Sequence, residues 1–140
     1  MIAGKSLPKS KALAMKFNFM INLHNKTYTC PVDVSLSFIR GKWKVLILFH
    51  LHYFQKRSYS EIRDNLPGIS EKVLAQQLKE LERDGMIQKN TRSAKPLRVE
   101  YALTDLGRSL SPMLEFLSQW GIDYLKTNGL DYIQDQHLYK

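Results

Sequence analysis

The chain has 140 residues, of which 44% are hydrophobic and 24% charged, the composition of one folded domain and not of a disordered chain. Its longest apolar run, Val45-Leu46-Ile47-Leu48-Phe49, falls far short of the roughly 20 residues that a membrane helix needs, so no membrane role is expected. Its single cysteine excludes an intrachain disulfide and a multi-cysteine zinc site and fits a reducing, cytoplasmic compartment, while 21 Lys+Arg against 13 Asp+Glu give a net charge of +8 that suits nucleic acid or another anionic surface.

The charge is uneven. Residues 1–30 hold five lysines and no acid, residues 31–127 carry a net +4, and residues 128–140 carry −1. A mobile basic arm is expected over residues 1–27, where Phe17, Phe19, Met20, Ile21 and Leu23 could form one short amphipathic turn. The arm has no apolar core of seven or more residues and no small-residue cleavage site, so a secretory signal is not expected. A folded body is expected over residues 28–127 and a tail over 128–140.

Regular structure is expected to begin at Cys30-Pro31, because proline suits the first position of a helix. Val34, Leu36, Phe38 and Ile39 supply a short apolar helix that Gly41 ends. A second helix follows from Lys42, with Trp43, Leu46, Ile47, Leu51 and Phe54 spaced as one buried face. Ser58-Tyr59-Ser60-Glu61 has the form of a capping box, opening a helix that buries Tyr59, Ile62 and Leu66. Pro67-Gly68 stops it. Ser70 caps a third helix that runs to Asp84, with Glu71 against its positive end and Gly85 as its stop. Two short helices joined by a Pro-Gly turn are a helix-turn-helix pattern.

The period then changes from 3.6 to 2. Met86–Asn90 and Arg98–Leu103 are candidate strands, and the polar stretch Thr91–Leu97 between them reads as the loop of a basic hairpin, a wing. Thr104 caps a last long helix whose apolar stripe is Leu106, Leu110, Met113, Leu114, Leu117, Trp120 and Tyr124. Pro112 should kink or split it. Ile122 and Leu125 widen the apolar surface past one stripe, which calls for a partner, most economically a second copy. Leu117, Trp120 and Tyr124 are therefore the expected dimer contacts.

On a helical wheel centred on Leu74, the core residues Leu78 and Leu81 fall beside it. Lys72, Gln76, Lys79 and Arg83 fall about 140° to 200° away, on the opposite face. That face carries no acid. Lys and Arg suit phosphates and guanine edges, and Gln suits adenine. Taken alone it could be an ordinary solvated face. Arg92, Lys95 and Arg98 on the adjoining wing favour double-stranded DNA, because a helix in the major groove and a hairpin beside it fit one duplex. Glu80, Glu82 and Asp84 spread around the wheel and read as a solvated or ion-paired face. His50 and His52 are too far apart around their helix to share a metal; no metal site, cofactor or catalytic residue is expected, and no enzyme activity.

In order and spacing, Cys30-Pro31-Val32, Gly41-Lys42-Trp43, Leu66-Pro67-Gly68-Ile69-Ser70, Gln77-Leu78-Lys79-Glu80-Leu81-Glu82, Asp84-Gly85, Val99-Glu100-Tyr101-Ala102-Leu103-Thr104, Leu106-Gly107 and Trp120-Gly121 resemble the HxlR family. These are bacterial winged helix-turn-helix transcription regulators, related in fold to the MarR group. The resemblance covers residues 28–126 and implies a mainly α fold with a small β-wing and a long C-terminal dimerisation helix. It also implies a homodimer on operator DNA, for which the residues read above, Lys72, Gln76, Lys79, Arg83, Arg92, Lys95 and Arg98, together with Ser70, are the expected contacts. Several members answer oxidants or electrophiles through the cysteine of the opening Cys-Pro, which makes Cys30 the candidate sensor. Its expected place at a helix N-terminus, where unpaired N–H groups favour a thiolate, agrees. The wing departs from the pattern, with Lys95-Pro96-Leu97-Arg98 where the family more often has two prolines. The competing reading is a winged-helix module for protein–protein or RNA binding. An RNA binder should expose aromatic rings for stacking, whereas Trp43, Tyr59, Tyr101 and Trp120 fall on apolar faces.

Overall fold

The computed structural model describes residues 20–130, with Ser93 and Ala94 described by their backbone alone. The chain divides after Arg40 into two units. In the first, β1 (Ile21–Leu23) and β2 (Lys26–Tyr28) form an antiparallel hairpin. Its two-residue turn, His24-Asn25, takes positive φ at both positions, the twist a tight hairpin needs, and Thr27 donates to Asn22 across it at 3.0 Å. This corrects the expected amphipathic turn and the expected start of regular structure at Cys30. Phe17 and Phe19, the rest of the arm up to residue 19, and the tail from residue 131 lie outside the described residues.

Helix α1 (Pro31–Ile39) follows, with Pro31 in its first turn and Cys30 at the N-cap. The thiol makes no capping hydrogen bond. Asp33 anchors this end instead, accepting from the Thr29 backbone N–H at 2.9 Å and from its hydroxyl at 3.2 Å.

In the second unit, α2 (Lys42–Phe54) is covered on several sides by the strands and helices that follow it. That explains a departure from the sequence reading. Ile47 and Leu51 are buried as expected, but Leu48, Lys44 and His50 are buried too, while Leu46 reaches the surface and Trp43 and Phe54 are half-buried. A helix covered on several sides cannot be reduced to one stripe.

β3 (Lys56–Ser58), absent from the sequence reading, pairs antiparallel with β5. Ser58 then caps α3 (Tyr59–Asp64) with the expected capping box: its hydroxyl accepts from the Glu61 N–H, and Glu61 accepts from the Ser58 N–H at 2.7 Å. Ile62 and Leu66 are buried, and Tyr59 is half-buried. Past the Pro67-Gly68 turn, Ser70 caps α4 (Glu71–Arg83), accepting from Val73 N–H at 3.1 Å. Leu74, Leu78 and Leu81 are 0–2% exposed. Gly85 ends α4 at φ +75, and the Met86 N–H returns to the Leu81 carbonyl at 2.9 Å, the closure that a left-handed glycine permits.

β4 (Ile87–Ala94) and β5 (Leu97–Leu103) make the wing, and the sheet order is β3-β5-β4. The expected seven-residue loop is not one. Pairing continues to Ala94↔Leu97 and leaves only Lys95-Pro96, joined by a cis peptide, as the turn. The pairs Thr91↔Val99 and Ser93↔Arg98 leave Arg92 as the extra residue of a bulge.

Thr104 caps α5 (Asp105–Ser109), and α6 (Ser111–Thr127) follows with Pro112 in its first turn. Pro112 has thus split the expected long helix. The Thr104 hydroxyl also donates to the Gly85 and Met86 carbonyls, tying the wing's exit to its entrance. Gly107 sits so close that a Cβ there would lie 2.1 Å from the Met86 carbonyl oxygen. Only glycine lets α5 approach the backbone at the entrance to β4 in this way.

Candidate nucleic-acid interface

α3 and α4 are held to each other by polar contacts at the turn. The Tyr59 hydroxyl donates to the Glu71 carbonyl at 3.1 Å, and Arg63 pairs with Glu71 at 3.0 Å and with Asp64. α4 is thus fixed at its N-terminus by α3 and along its length by three buried leucines.

Lys72, Gln76, Lys79 and Arg83 are all exposed, on the side of α4 away from Leu74, Leu78 and Leu81. They form one face, as the wheel predicts. They are not equivalent. Lys72 and Lys79 have no partner among the described residues. Arg83 pairs with the neighbouring Asp84 at 3.3 Å. Gln76 donates to Glu80 at 2.8 Å, and Glu80 is ion-paired with Lys44 of α2 at 2.7 Å. The Lys44 and Gln76 hydrogen bonds hold the Glu80 carboxyl below its ordinary range. Ser70 is exposed, but its hydroxyl oxygen is engaged in capping.

On the wing, Arg92, Lys95 and Arg98 are exposed. Arg92 donates to Glu100 across the strands at 2.7 Å, whereas Arg98 has no partner among the described residues. The face is therefore cationic but partly neutralised from within, which a count of charges along the sequence does not reveal. Lys89, also exposed on β4, is a further cation that the sequence reading passed over; its place on a strand with both faces exposed carried no periodic signal. Lys44 was passed over because it reads as one more polar residue in an apolar helix.

The other singled-out residues lie elsewhere. Trp120, Leu117 and Tyr124 are 60%, 48% and 57% exposed on α6, with Phe116 beside them at 69%. The Trp120 and Tyr124 rings stack at 5.6 Å. Of the aromatics weighed against RNA binding, Tyr101 is buried and Trp43 and Tyr59 are half-buried, while Trp120 stands on an apolar face that its own chain leaves open. Cys30 is half-buried. His52 meets Glu115 of α6 at 2.9 Å, and His50 is buried, its Nε2 without a hydrogen-bond partner among the described residues. Among the described residues no group of three or more His, Cys, Asp or Glu side chains is placed to hold a metal, and no helix is long and apolar enough to cross a membrane.

Residues 38–129 match the family described as HxlR-like helix-turn-helix. The HTH-type transcriptional regulator YtcD of Bacillus subtilis (strain 168) is 42% identical over 103 residues, covering 74% of this chain and 81% of that protein. Among solved structures, the redox regulator HypR in its oxidised form superposes with a TM-score of 0.64 at 37% identity, covering 67% of this chain and 96% of that one. The reduced form of the transcriptional regulator YodB from B. subtilis gives 0.57 at 30% identity, covering 68% and 93%. Set beside a capped helix-turn-helix, a basic wing and a cationic α4 face, these matches establish that the chain belongs to the HxlR-like helix-turn-helix family and is a winged-helix, DNA-binding transcription regulator, not an enzyme.

Proposed function

We propose that the protein is a cytoplasmic regulator that binds operator DNA as a homodimer. α4 enters the major groove and the β4–β5 wing lies along a neighbouring phosphate edge. The observation that carries this reading is the α4 face, where Lys72, Gln76, Lys79 and Arg83 are exposed opposite three buried leucines. Lysine and arginine supply phosphate and guanine contacts, and glutamine supplies the paired donor and acceptor that read adenine. The open aromatic stripe of α6 supports the dimer, as do Val32 and Leu36 of α1, which are 64% and 50% exposed.

Selection of binding sites from random duplex DNA by the purified protein tests this. An inverted repeat is expected, with half-site centres about 10–10.5 bp apart or a multiple of that. Recovery of no preferred duplex sequence would remove the operator reading in favour of a protein-binding or RNA-binding module.

Cys30 is the sensor in this reading. HypR, which resembles this chain, is described as a redox regulator, and YodB has been solved after diamide treatment. With no second cysteine in the chain, oxidation yields either an intersubunit Cys30–Cys30 disulfide or an adduct with a small thiol or electrophile. The disulfide releases two protons and two electrons to the oxidant. It requires the two Cα atoms to come within about 7 Å. Operator binding by the wild type should fall after diamide or a quinone, and that of Cys30→Ser should not. Equal loss in both would take Cys30 out of the mechanism.

A further inference from the structure

Lys44 lies on α2 in the row of Ile47, Leu48 and Leu51 and is only 6% exposed. Its ammonium meets Glu80 Oε2 at 2.7 Å. The other carboxylate oxygen, Oε1, accepts from Gln76 Nε2 at 2.8 Å. The three side chains form a chain that starts inside the protein and ends on the exposed face of α4. Its inner link is a poor source of stability, because desolvating two ions costs about as much as their attraction returns, and an apolar side chain of similar volume at position 44 would serve the core as well. The consequence lies at the other end.

An ionised carboxylate can only accept hydrogen bonds, so Glu80 takes the amide nitrogen of Gln76 and never its oxygen. A free glutamine on a surface helix rotates its carboxamide and offers donor and acceptor in either order. Gln76, held by Glu80, offers one order: Oε1 as acceptor and the second N–H as donor. Reading adenine in the major groove needs that pair in a fixed order, with the oxygen on N6–H and the N–H on N7. The buried ammonium keeps Glu80 charged and its side chain aimed along α4, so the lock does not depend on DNA being present.

We propose that Lys44 and Glu80 are positioning residues of the recognition helix, locking Gln76 in one amide orientation and so setting the base it prefers. This rests on Gln76 being a base reader, as argued above. The test measures relative affinity for all four base pairs at each operator position, for the wild type, Gln76→Ala, Glu80→Gln and the double variant Lys44→Met/Glu80→Gln. The double variant leaves no buried ammonium without a counter-charge, so it keeps the test open if Glu80→Gln fails to fold. The base pair that Gln76 reads is the one whose preference Gln76→Ala removes.

At that pair the wild type should discriminate by about tenfold, as one bidentate contact does. Glu80→Gln and the double variant should reduce this to within about twofold while preferences elsewhere persist. Adding Glu80→Gln to Gln76→Ala should change the ratio no further. Any general change in affinity from removing an acid acts on all sequences alike and cancels in the ratio. Retention of the tenfold preference by both Glu80 variants, where Gln76→Ala loses it, would overturn the lock and leave Gln76 as a base reader. An unchanged preference in Gln76→Ala would overturn both.

Discussion

α4 and α6 are both surface helices, yet α4 turns charge outward and α6 turns aromatic rings outward. In α4 every buried side chain is a leucine, and the opposite face carries three cations and an amide. Its sequence is fully answered by one hydrophobic core on one side and water or polyanion on the other. In α6 Leu114 is the one buried side chain of 17 residues, while Phe116, Leu117, Trp120 and Tyr124 stand exposed. Large contiguous apolar surface of this kind marks a binding face. In the function proposed above, the difference separates two tasks on one scaffold: α4 would face a charged partner that comes and goes with salt, and α6 an apolar one whose removal leaves rings in water. α2 lies beneath both, reaching α4 through Lys44–Glu80 and α6 through His52–Glu115.

The largest expected effect breaks the α6 side of this contrast. Trp120→Asp places a carboxylate where the protomer is already exposed, so the protomer should fold as before. In the proposed dimer the same carboxylate would be buried without a counter-charge. The dissociation constant should rise by about 100-fold or more, the cost of losing a central aromatic contact, and sedimentation equilibrium reads it directly. An Asp at position 114, by contrast, should unfold the protomer itself, because Leu114 is 1% exposed. A wild type that sediments as a monomer at micromolar concentration, or a Trp120→Asp dimer of unchanged affinity, would leave the α6 stripe without the role assigned to it.

A second effect strikes the platform that both helices share. His50 is lowered from 6.5 to about 4, mainly because burial disfavours the imidazolium and further because Arg57 repels it. The folded protein therefore keeps His50 neutral down to about pH 4, while the unfolded chain protonates it below pH 6.5. Between these values the unfolded state binds the extra proton, so stability falls as pH drops from 6.5 towards 4 and levels off below. At pH 5 the loss is about 2 kcal/mol. Urea unfolding at pH 7 and pH 5, at one protein concentration, should show that decrease, and His50→Phe should remove most of it. Glu61 and Glu80, both lowered by their hydrogen bonds, contribute stability above the ordinary carboxylate range and lose it as pH falls from that range through their folded values.

The contrast between α4 and α6 also separates what could be read from the sequence from what could not. α4 was legible in full, because a helix between one core and solvent writes its environment as a wheel, with Ser70 and Gly85 as its stops. The capping box at Ser58 and the split at Pro112 were legible for the same local reason. α2 was misread where its packing is many-sided, so that Leu48, His50 and Lys44 are covered as well as Ile47 and Leu51. The outer wing was misread as a loop because a ribbon exposed on both faces has no apolar alternation. β3 is a three-residue strand that exists through pairing with β5, which lies far away in the sequence, and the strands of the β1–β2 hairpin are three residues each, too short for an alternation to show, with no glycine in their His24-Asn25 turn. Within the candidate interface, the positions of the cations were legible and their partners were not. Glu80 and Glu100 engage Lys44 and Arg92 through the fold, whereas Asp84 takes its own sequence neighbour, Arg83.

That last point gives the smallest effect and the sharpest test of the α4 side. Arg92 and Arg98 look alike in the sequence as wing cations. In the fold, Arg92 donates to Glu100 at 2.7 Å, with Glu100 only 25% exposed, while Arg98 has no partner among the described residues. A cation already neutralised by a carboxylate displaces few counterions from DNA, and each phosphate newly neutralised adds about 0.9 to the log–log salt slope. Arg98→Ala should therefore flatten the slope by close to that amount, and Arg92→Ala by clearly less. Both should weaken all sequences alike, since phosphate contacts carry no sequence information. Glu100→Gln should act in the opposite sense, freeing Arg92 and removing a negative charge from the wing, so that the slope steepens and affinity rises a few-fold at low salt. The three slopes are measured by titrating one duplex at several salt concentrations. Equal slopes for Arg92→Ala and Arg98→Ala, with no gain from Glu100→Gln, would mean that Arg92 leaves Glu100 when DNA arrives. The wing's internal ion pair would then have no bearing on how strongly the duplex is held.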